Sequence, residues 1–354
     1  MASGTPAPRE RAAHHLRRQA ELTASPLYRG LLTAAVLDVE LGGPCWAALD
    51  GHEGDPIESA LALRLLGGVH RLVLEGKAPD LAAFYPSVGG DPEAGDGDPW
   101  PAFATTVADN LAAVHESLDR PVQTNEVGRA AALVCGFLAV AGRWGLPLRM
   151  RELGASAGLN LRWDHFRYEH GGNGWGDGRA AVRFTDVYEG EGASPFGVDA
   201  VVADRRGCDR APLDATTDEG RLTLMSYVWP DQPERFKLLE DAIAVAREVP
   251  AHVDEADAVE WASAQLEHAE PGTATIVFHS IFIQYLPPAD RAALLGVIVA
   301  AGRRASDDAP LAWVRMEPEG LEHAAIRVTQ YPGGDETVVA EAGYHGRPVR
   351  FTAG

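Results

Sequence analysis

The chain has 354 residues, 46% hydrophobic and 23% charged, the balance of an ordinary folded protein with material for a large core and a second region. Acidic residues outnumber basic ones 51 to 31, and the formal charge of −20 repels phosphate backbones and anionic lipid surfaces. Nucleic acid and membrane partners are therefore not expected, and a small-molecule substrate is left by exclusion. Cys45, Cys135 and Cys208 stand far apart without CxxC spacing, which predicts reduced structural thiols. The amino end carries no apolar signal core, and no stretch reaches the roughly 18 uninterrupted apolar residues of a membrane helix, so a cytoplasmic protein is expected. The histidines are scattered and form no HxxxH or Cys/His cluster, which argues against metal catalysis. Nothing in the sequence speaks to oligomeric state.

From Arg9 to Gly145 nearly every segment reads helical. A polar helix ends before Ser25 and Pro26, a good cap and first-turn pair; Leu27 to Leu37, Ile57 to Leu74, Ala102 to Leu118 and Glu126 to Trp144 follow. Gly89 to Pro101 is a loop by its Gly, Pro and Asp content. Gln123, Asn125 and Glu126, with Arg129 one turn later, sit at a helix mouth. They serve as caps in the plain interpretation and as contacts to a polar substrate group in the sharper one.

Next comes PLRMRELGASAGLNLRWDHFRY, residues 147 to 168. It predicts a strand over Leu148 to Leu153, a tight turn at Gly154 to Gly158, and a helix with Leu159, Trp163 and Phe166 on one stripe. A helix start offers free N–H groups and a positive dipole end, and glycines let a ligand lie against the backbone. With Glu152 at the strand's end, the ExGxSxG pattern suits a nucleoside-bearing cofactor held by Glu152, Gly154, Ser156, Gly158 and Asn160. GxSxG is also the nucleophile elbow of α/β-hydrolases, with Ser156 as nucleophile. Arg149 and Arg151 are unusual in a buried strand and predict pairing with acids or an imperfectly covered face.

Glu169 to Gly178 reads as a glycine-rich connection, Ala181 to Tyr188 as a strand, and Val198 to Cys208 as a better one. An acid just past a second core strand is where a nucleotide-binding sheet grips ribose hydroxyls; Asp209 fits, with Asp204 as competitor. Leu222 to Val249 is helical but broken at Trp229-Pro230-Asp231-Gln232-Pro233. Trp229 is a core anchor or a surface for a substrate ring. His252 to Ala258 leads a short strand to Asp257, placed for an adenine amine. TATIVFHSIFI, 273 to 283, reads as a buried parallel strand delivering His279 and Tyr285 to the sheet edge. A helix over Asp290 to Ala301, a strand from Leu311 ending near Glu317, and a hairpin around Pro332-Gly333-Gly334-Asp335 complete the chain.

Ser25-Pro26-Leu27-Tyr28, Phe84-Tyr85-Pro86, QTNE at 123 to 126, ELGASAGLNL at 152 to 161, Trp229-Pro230-Asp231-Gln232 with Arg235, and His279-Ser280 followed by Tyr285-Leu286-Pro287 together resemble a mainly actinobacterial family of unknown function, DUF 2332. The resemblance spans nearly the whole chain. The second half is similar to class I S-adenosylmethionine-dependent methyltransferases. That likeness implies an α/β fold with a Rossmann-like sheet over 146–354, preceded by an all-α cap over 1–145. It also implies cofactor binding at Glu152, Gly154, Ser156, Gly158, Asn160, Asp209 and Asp257. Ser156 stands where that class more often has glycine, and the stretch between first helix and second strand is long.

The expected activity is S-adenosylmethionine-dependent O- or N-methylation of a small molecule by in-line displacement. His279 would be the base and Tyr285 the next candidate, with Gln123, Asn125, Glu126 and Trp229 holding substrate. The alternatives are a serine hydrolase with Ser156 activated by His279 or His345, the histidine being oriented by an acid such as Asp257, and a non-catalytic cofactor-fold binding protein.

Overall fold

Ser25 and Pro26 start a helix as their chemistry predicts. The Ser25 hydroxyl accepts the Tyr28 backbone N–H at 3.0 Å and Pro26 supplies the first turn, so a helix runs Pro26–Leu41 until Gly42 turns left-handed. In this computed structural model, which describes residues 7–93, 97–190, 194–320 and 322–352, the chain divides into two compact units. One comprises Met1–Thr124 with Asp218–Lys237, the other Asn125–Thr217 with Leu238–Gly354.

The first unit is helical. Pro8–Leu22 packs on Pro26–Leu41, and Leu61–Leu74 packs on Leu111–Leu118 and Asp218–Ser226. Two expected helices are broken: Ile57 to Leu74 at Ala60, where φ is 54°, and Ala102 to Leu118 at Asn110. The pieces bury a core that includes Leu16, Leu31, Leu65, Val69, Tyr85 and Phe103. Part of the Gly89 to Pro101 loop, residues 94–96, lies outside the described residues. The prolines at 230 and 233 separate Asp218–Ser226 from a helix that begins at Pro233, as the ring's missing N–H requires.

The second unit carries twelve strands among the described residues: β1 (Leu148–Leu153), β2 (Arg167–His170), β3 (Asn173–Trp175), β4 (Arg183–Phe184), β5 (Tyr188–Glu189), β6 (Val202–Asp209), β7 (His252–Glu255), β8 (Ala274–Ser280), β9 (Leu311–Glu319), β10 (His323–Tyr331), β11 (Asp335–Ala342) and β12 (Val349–Phe351). Nine form one sheet in the order β5-β12-β11-β10-β9-β8-β1-β6-β7, and β3-β2-β4 form a small second sheet. From β7 to β9 the pairings are parallel; β9, β10, β11 and β12 are antiparallel neighbours.

Alternate residues of the parallel strands face opposite sides, and each side has its own helices. Val277 and Trp313 join Leu153, Trp261, Leu294 and Ile298 in a core under the helices Ala258–Gln265 and Pro288–Gly302. Phe278 and Val314 meet the helix Ala130–Trp144: Phe137 packs edge-on to Phe278 at 4.9 Å, and Gly136 lies so close to Val314 that a Cβ there would stand 2.5 Å from Cγ1. The segment Val127–Trp144 is long and apolar enough to cross a membrane by composition, yet 72% of it is buried within the protein.

Several expectations change. A division at residue 145/146 does not follow the compact units. Ala130–Trp144 belongs with the sheet it covers, and 218–237 with the helices it packs against. Helices are apportioned by the partner of their apolar stripe, which local pattern does not reveal. The connection Glu169 to Gly178 is a hairpin, β2 and β3 turning through Gly171 and Gly172 at φ 58° and 82°. The strand expected over Ala181 to Tyr188 is reduced to the two-residue pieces β4 and β5. The strand arginines pair with acids as anticipated: Arg151 with Asp204 at 2.6 Å and Arg149 with Glu270 at 3.2 Å.

Candidate functional site

The first parallel strand of the second unit, β1, lies inside the sheet, with β6 and β7 to one side and β8 and β9 to the other. The order therefore reverses between β1 and β8, and in open parallel sheets ligands bind beyond the carboxyl ends at such a point. Two turns meet there: Gly154–Gly158 after β1, and the segment after β8. Ser156 and Ile281, one in each, both have positive φ, at 52° and 50°. For a β-branched residue this is a true outlier that costs about 1–3 kcal/mol, and such strain concentrates at functional sites.

The turn after β1 differs from expectation in two respects. No α-helix follows it; Leu159–His165 is a 3-10 segment interrupted at Arg162, so no long helix dipole points at the turn. The glycine positions are filled from within the protein. A Cβ on Gly154 would stand 2.4 Å from the Phe282 ring, and one on Gly158 2.8 Å from Val253. With φ at 66° and 65° these glycines serve a left-handed turn closed by side chains, not an open cradle.

The acids at the strand ends are also used internally. Asp209 closes β6 and accepts the backbone N–H groups of Ser156 at 2.8 Å and Ala211 at 3.0 Å. Asp204, its competitor, lies mid-strand on Arg151. Asp257 caps the helix Ala258–Gln265 through the Val259 N–H at 2.9 Å and pairs with Arg210 at 3.0 Å; the Arg210 hydrogen bond holds its carboxyl below the ordinary range.

Glu152 is different. It is 3% exposed, and its Oε2 is buried with no hydrogen-bond partner among the described residues. Burial pushes its carboxyl well above the usual range, and Asp209 adds to this against the pull of Arg162 and Arg129. Asn160, 2% exposed, gives its amide N–H to the Glu126 carbonyl at 3.3 Å and leaves Oδ1 buried with no hydrogen-bond partner among the described residues. Asn125 accepts the Leu159 N–H at 2.9 Å, and Glu126 caps Val127–Arg129. These two expected substrate contacts thus lie against the start of the 3-10 segment. Gln123 and Trp229 belong to the first unit.

His279 is fully buried and both ring nitrogens are engaged. Nδ1 faces Glu317 Oε1 at 2.7 Å, and Nε2 accepts the Trp313 indole N–H at 3.1 Å, which fixes the proton on Nδ1. Burial alone would raise the Glu317 carboxyl, but His279 and the Phe282 and Ile283 N–H groups hold it below the usual range. In this arrangement His279, expected as the base, orients the turn after β8 with both ring nitrogens occupied. Tyr285 is 70% exposed on the short segment Ile283–Tyr285.

One pair escaped the sequence. His345 Nδ1 faces Glu126 Oε2 at 2.8 Å, with the imidazole 53% exposed and the carboxylate 8%. The loop holding His345 is clamped by Arg129, whose Nε donates to the Tyr344 carbonyl at 3.1 Å while Nη1 donates to that of Ser280. Glycine at 346 is required there, since a Cβ would stand 2.0 Å from the Gly128 carbonyl. A lone histidine 219 positions from its partner leaves no spacing signature.

The model of a family described as an uncharacterized protein conserved in bacteria, DUF2332, matches residues 13–351. The chain belongs to that family. No curated protein and no solved structure matches it. In this DUF2332 protein the matched region takes in both compact units, so the helical residues are as much part of the family's fold as the sheet.

Proposed function

We propose that the second unit of this DUF2332 protein is a Rossmann-like S-adenosylmethionine-dependent methyltransferase domain that methylates an oxygen or nitrogen of a small molecule. The observation that carries this is Glu152, a buried carboxyl with an unpaired oxygen at the carboxyl end of β1, beside the reversal of strand order. Buried polar atoms in native proteins have partners, and a nucleoside-bearing cofactor supplies N–H and O–H donors for Glu152 Oε2 and Asn160 Oδ1. Those two orphaned acceptors fit such a group, with Asp209 and Asp257 at the ends of the second and third parallel strands retaining further acceptor capacity. The cofactor would supply an electrophilic methyl group.

The chain's own contribution is positioning and proton transfer. With His279 committed to Glu317 and Trp313, the proton of a hydroxyl or amine substrate goes to His345, oriented through Nδ1 by Glu126. Calorimetric titration with S-adenosylmethionine and S-adenosylhomocysteine tests the assignment. Binding to the wild type should weaken about tenfold or more in Glu152→Gln, which keeps the side chain's size but replaces an accepting oxygen with an N–H₂ donor. If neither compound binds the wild type, the assignment fails.

The positive φ of Ser156 favours a second possibility, since a nucleophile elbow is a strained turn. Against it, the turn leads into a broken 3-10 segment, and His279 has no nitrogen to offer. Fluorophosphonate labelling that disappears in Ser156→Ala would establish the hydrolase instead.

A further inference from the structure

We infer that the first unit holds a binding site for a primary ammonium group, formed by Tyr28, Tyr85 and Asp231. Tyr28 is 2% exposed and Tyr85 0%, and neither hydroxyl has a hydrogen-bond partner among the described residues. Asp231 is anchored through one oxygen only. Its Oδ2 accepts the Ser25 hydroxyl at 2.6 Å and the Leu27 N–H at 3.4 Å, while Oδ1 is buried with no hydrogen-bond partner among the described residues. Asp231 is close enough to both phenols, and Tyr85 to Tyr28, to act on them electrostatically. Three unpaired oxygens thus gather from three segments distant in the chain.

Buried polar atoms are rarely left unpaired, and three in one place point to a missing donor. The carboxylate oxygen can only accept, and both phenol oxygens can accept as well. An –NH₃⁺ group carries three N–H donors and the charge opposite to that of Asp231. The walls suit a cation: Tyr28 lies 6.4 Å from Trp229, ring centre to ring centre, and His70 lies 5.5 Å from Tyr85. His70 adds no positive charge, because it is fully buried, sits on Ser87 and the Ser226 carbonyl, and stays neutral. Arg235, one turn beyond Asp231, gives its guanidinium to Gln232. The ligand class is a small primary amine, and the assignment is independent of cofactor binding in the second unit.

Thermal denaturation of the full chain tests it, with methylammonium, ethanolammonium and putrescine compared against tetramethylammonium at equal ionic strength. At least one primary amine should raise the wild-type midpoint saturably, whereas tetramethylammonium, which has no N–H, should not. Tyr28→Phe and Tyr85→Phe, which keep the rings and the fold, should each weaken the apparent affinity about tenfold. No saturable rise with any primary amine, an equal rise with tetramethylammonium, or undiminished binding in the double Phe variant would each overturn the site. So would a crystal soaked in the amine that shows only ordered water on the three oxygens.

Discussion

Four buried tyrosines divide this protein's two units by a single property. In the second unit the Tyr168 hydroxyl donates to the Trp163 carbonyl at 2.9 Å and the Tyr188 hydroxyl to that of Ala131 at 3.0 Å. In the first, Tyr28 and Tyr85 are comparably buried and their hydroxyls have no hydrogen-bond partner among the described residues. Burial raises all four phenols above their ordinary range, so the difference lies in hydrogen bonding and not in depth. The sheet unit also leaves buried polar atoms without a hydrogen-bond partner among the described residues, Trp163 Nε1 and Gln330 Oε1 among them, and Glu152 and Asn160 are the two of these at the strand-order reversal. The helical unit leaves a cluster open. Polar atoms that a fold leaves unmet are better indicators of ligand chemistry than polar residues in general.

The largest expected effect tests whether the turn after β1 is closed by protein. Gly154→Val places a β-branched residue at φ 66° and its Cβ against the Phe282 ring. Urea unfolding should show a loss of about 3–5 kcal/mol from backbone strain and overpacking together. A wild-type midpoint would mean that Phe282 swings away and the turn is an open cradle after all.

A smaller effect concerns the helical unit and pH. Burial lowers His70 to about 4, against the pull of the Ser226 and Val228 carbonyls, from an ordinary value of 6.5. Above pH 6.5 both folded and unfolded chains hold it neutral, and it adds no pH dependence. Below that the unfolded chain takes up a proton that folded His70 refuses, so stability falls as pH drops from 6.5 to about 4, by about 3 kcal/mol in all. His70→Gln should flatten that part of the stability profile relative to wild type; an unchanged slope would show His70 accepting the proton while folded.

The smallest effect sharpens the tyrosine contrast directly. Tyr168→Phe and Tyr188→Phe each strip a buried carbonyl of its donor and should cost about 1 kcal/mol. Tyr28→Phe and Tyr85→Phe remove hydroxyls with no hydrogen-bond partner among the described residues and, without ligand, should be neutral or stabilising by up to about 1 kcal/mol. Equal costs at all four positions would erase the distinction between the units.

Much of the architecture was legible before any coordinates. Ser25 with Pro26, the proline break at 230 to 233 and the Pro-Gly-Gly-Asp hairpin each depend on neighbours within a few residues and appear as read, while the run TATIVFHSIFI gives a buried strand that stops at Ser280. Even the arginines of β1 announced their acids. The site was less legible. His279 looked like a base because it ends an apolar strand; the Trp313 indole that occupies its second nitrogen is 34 positions away. Glu126 looked like a cap, and it is one, but its other oxygen holds His345.

What the sequence determined by itself, then, is the set of local elements and the family to which the chain belongs, because caps, turns and periodicity are short-range physics. Tertiary structure decided which unit each helix joins and which polar atoms stay unpaired. Both are settled by partners tens to hundreds of positions away, such as Asp231 for Ser25 and Glu126 for His345. No local pattern encodes whether a buried oxygen finds its donor inside the protein or waits for one from outside.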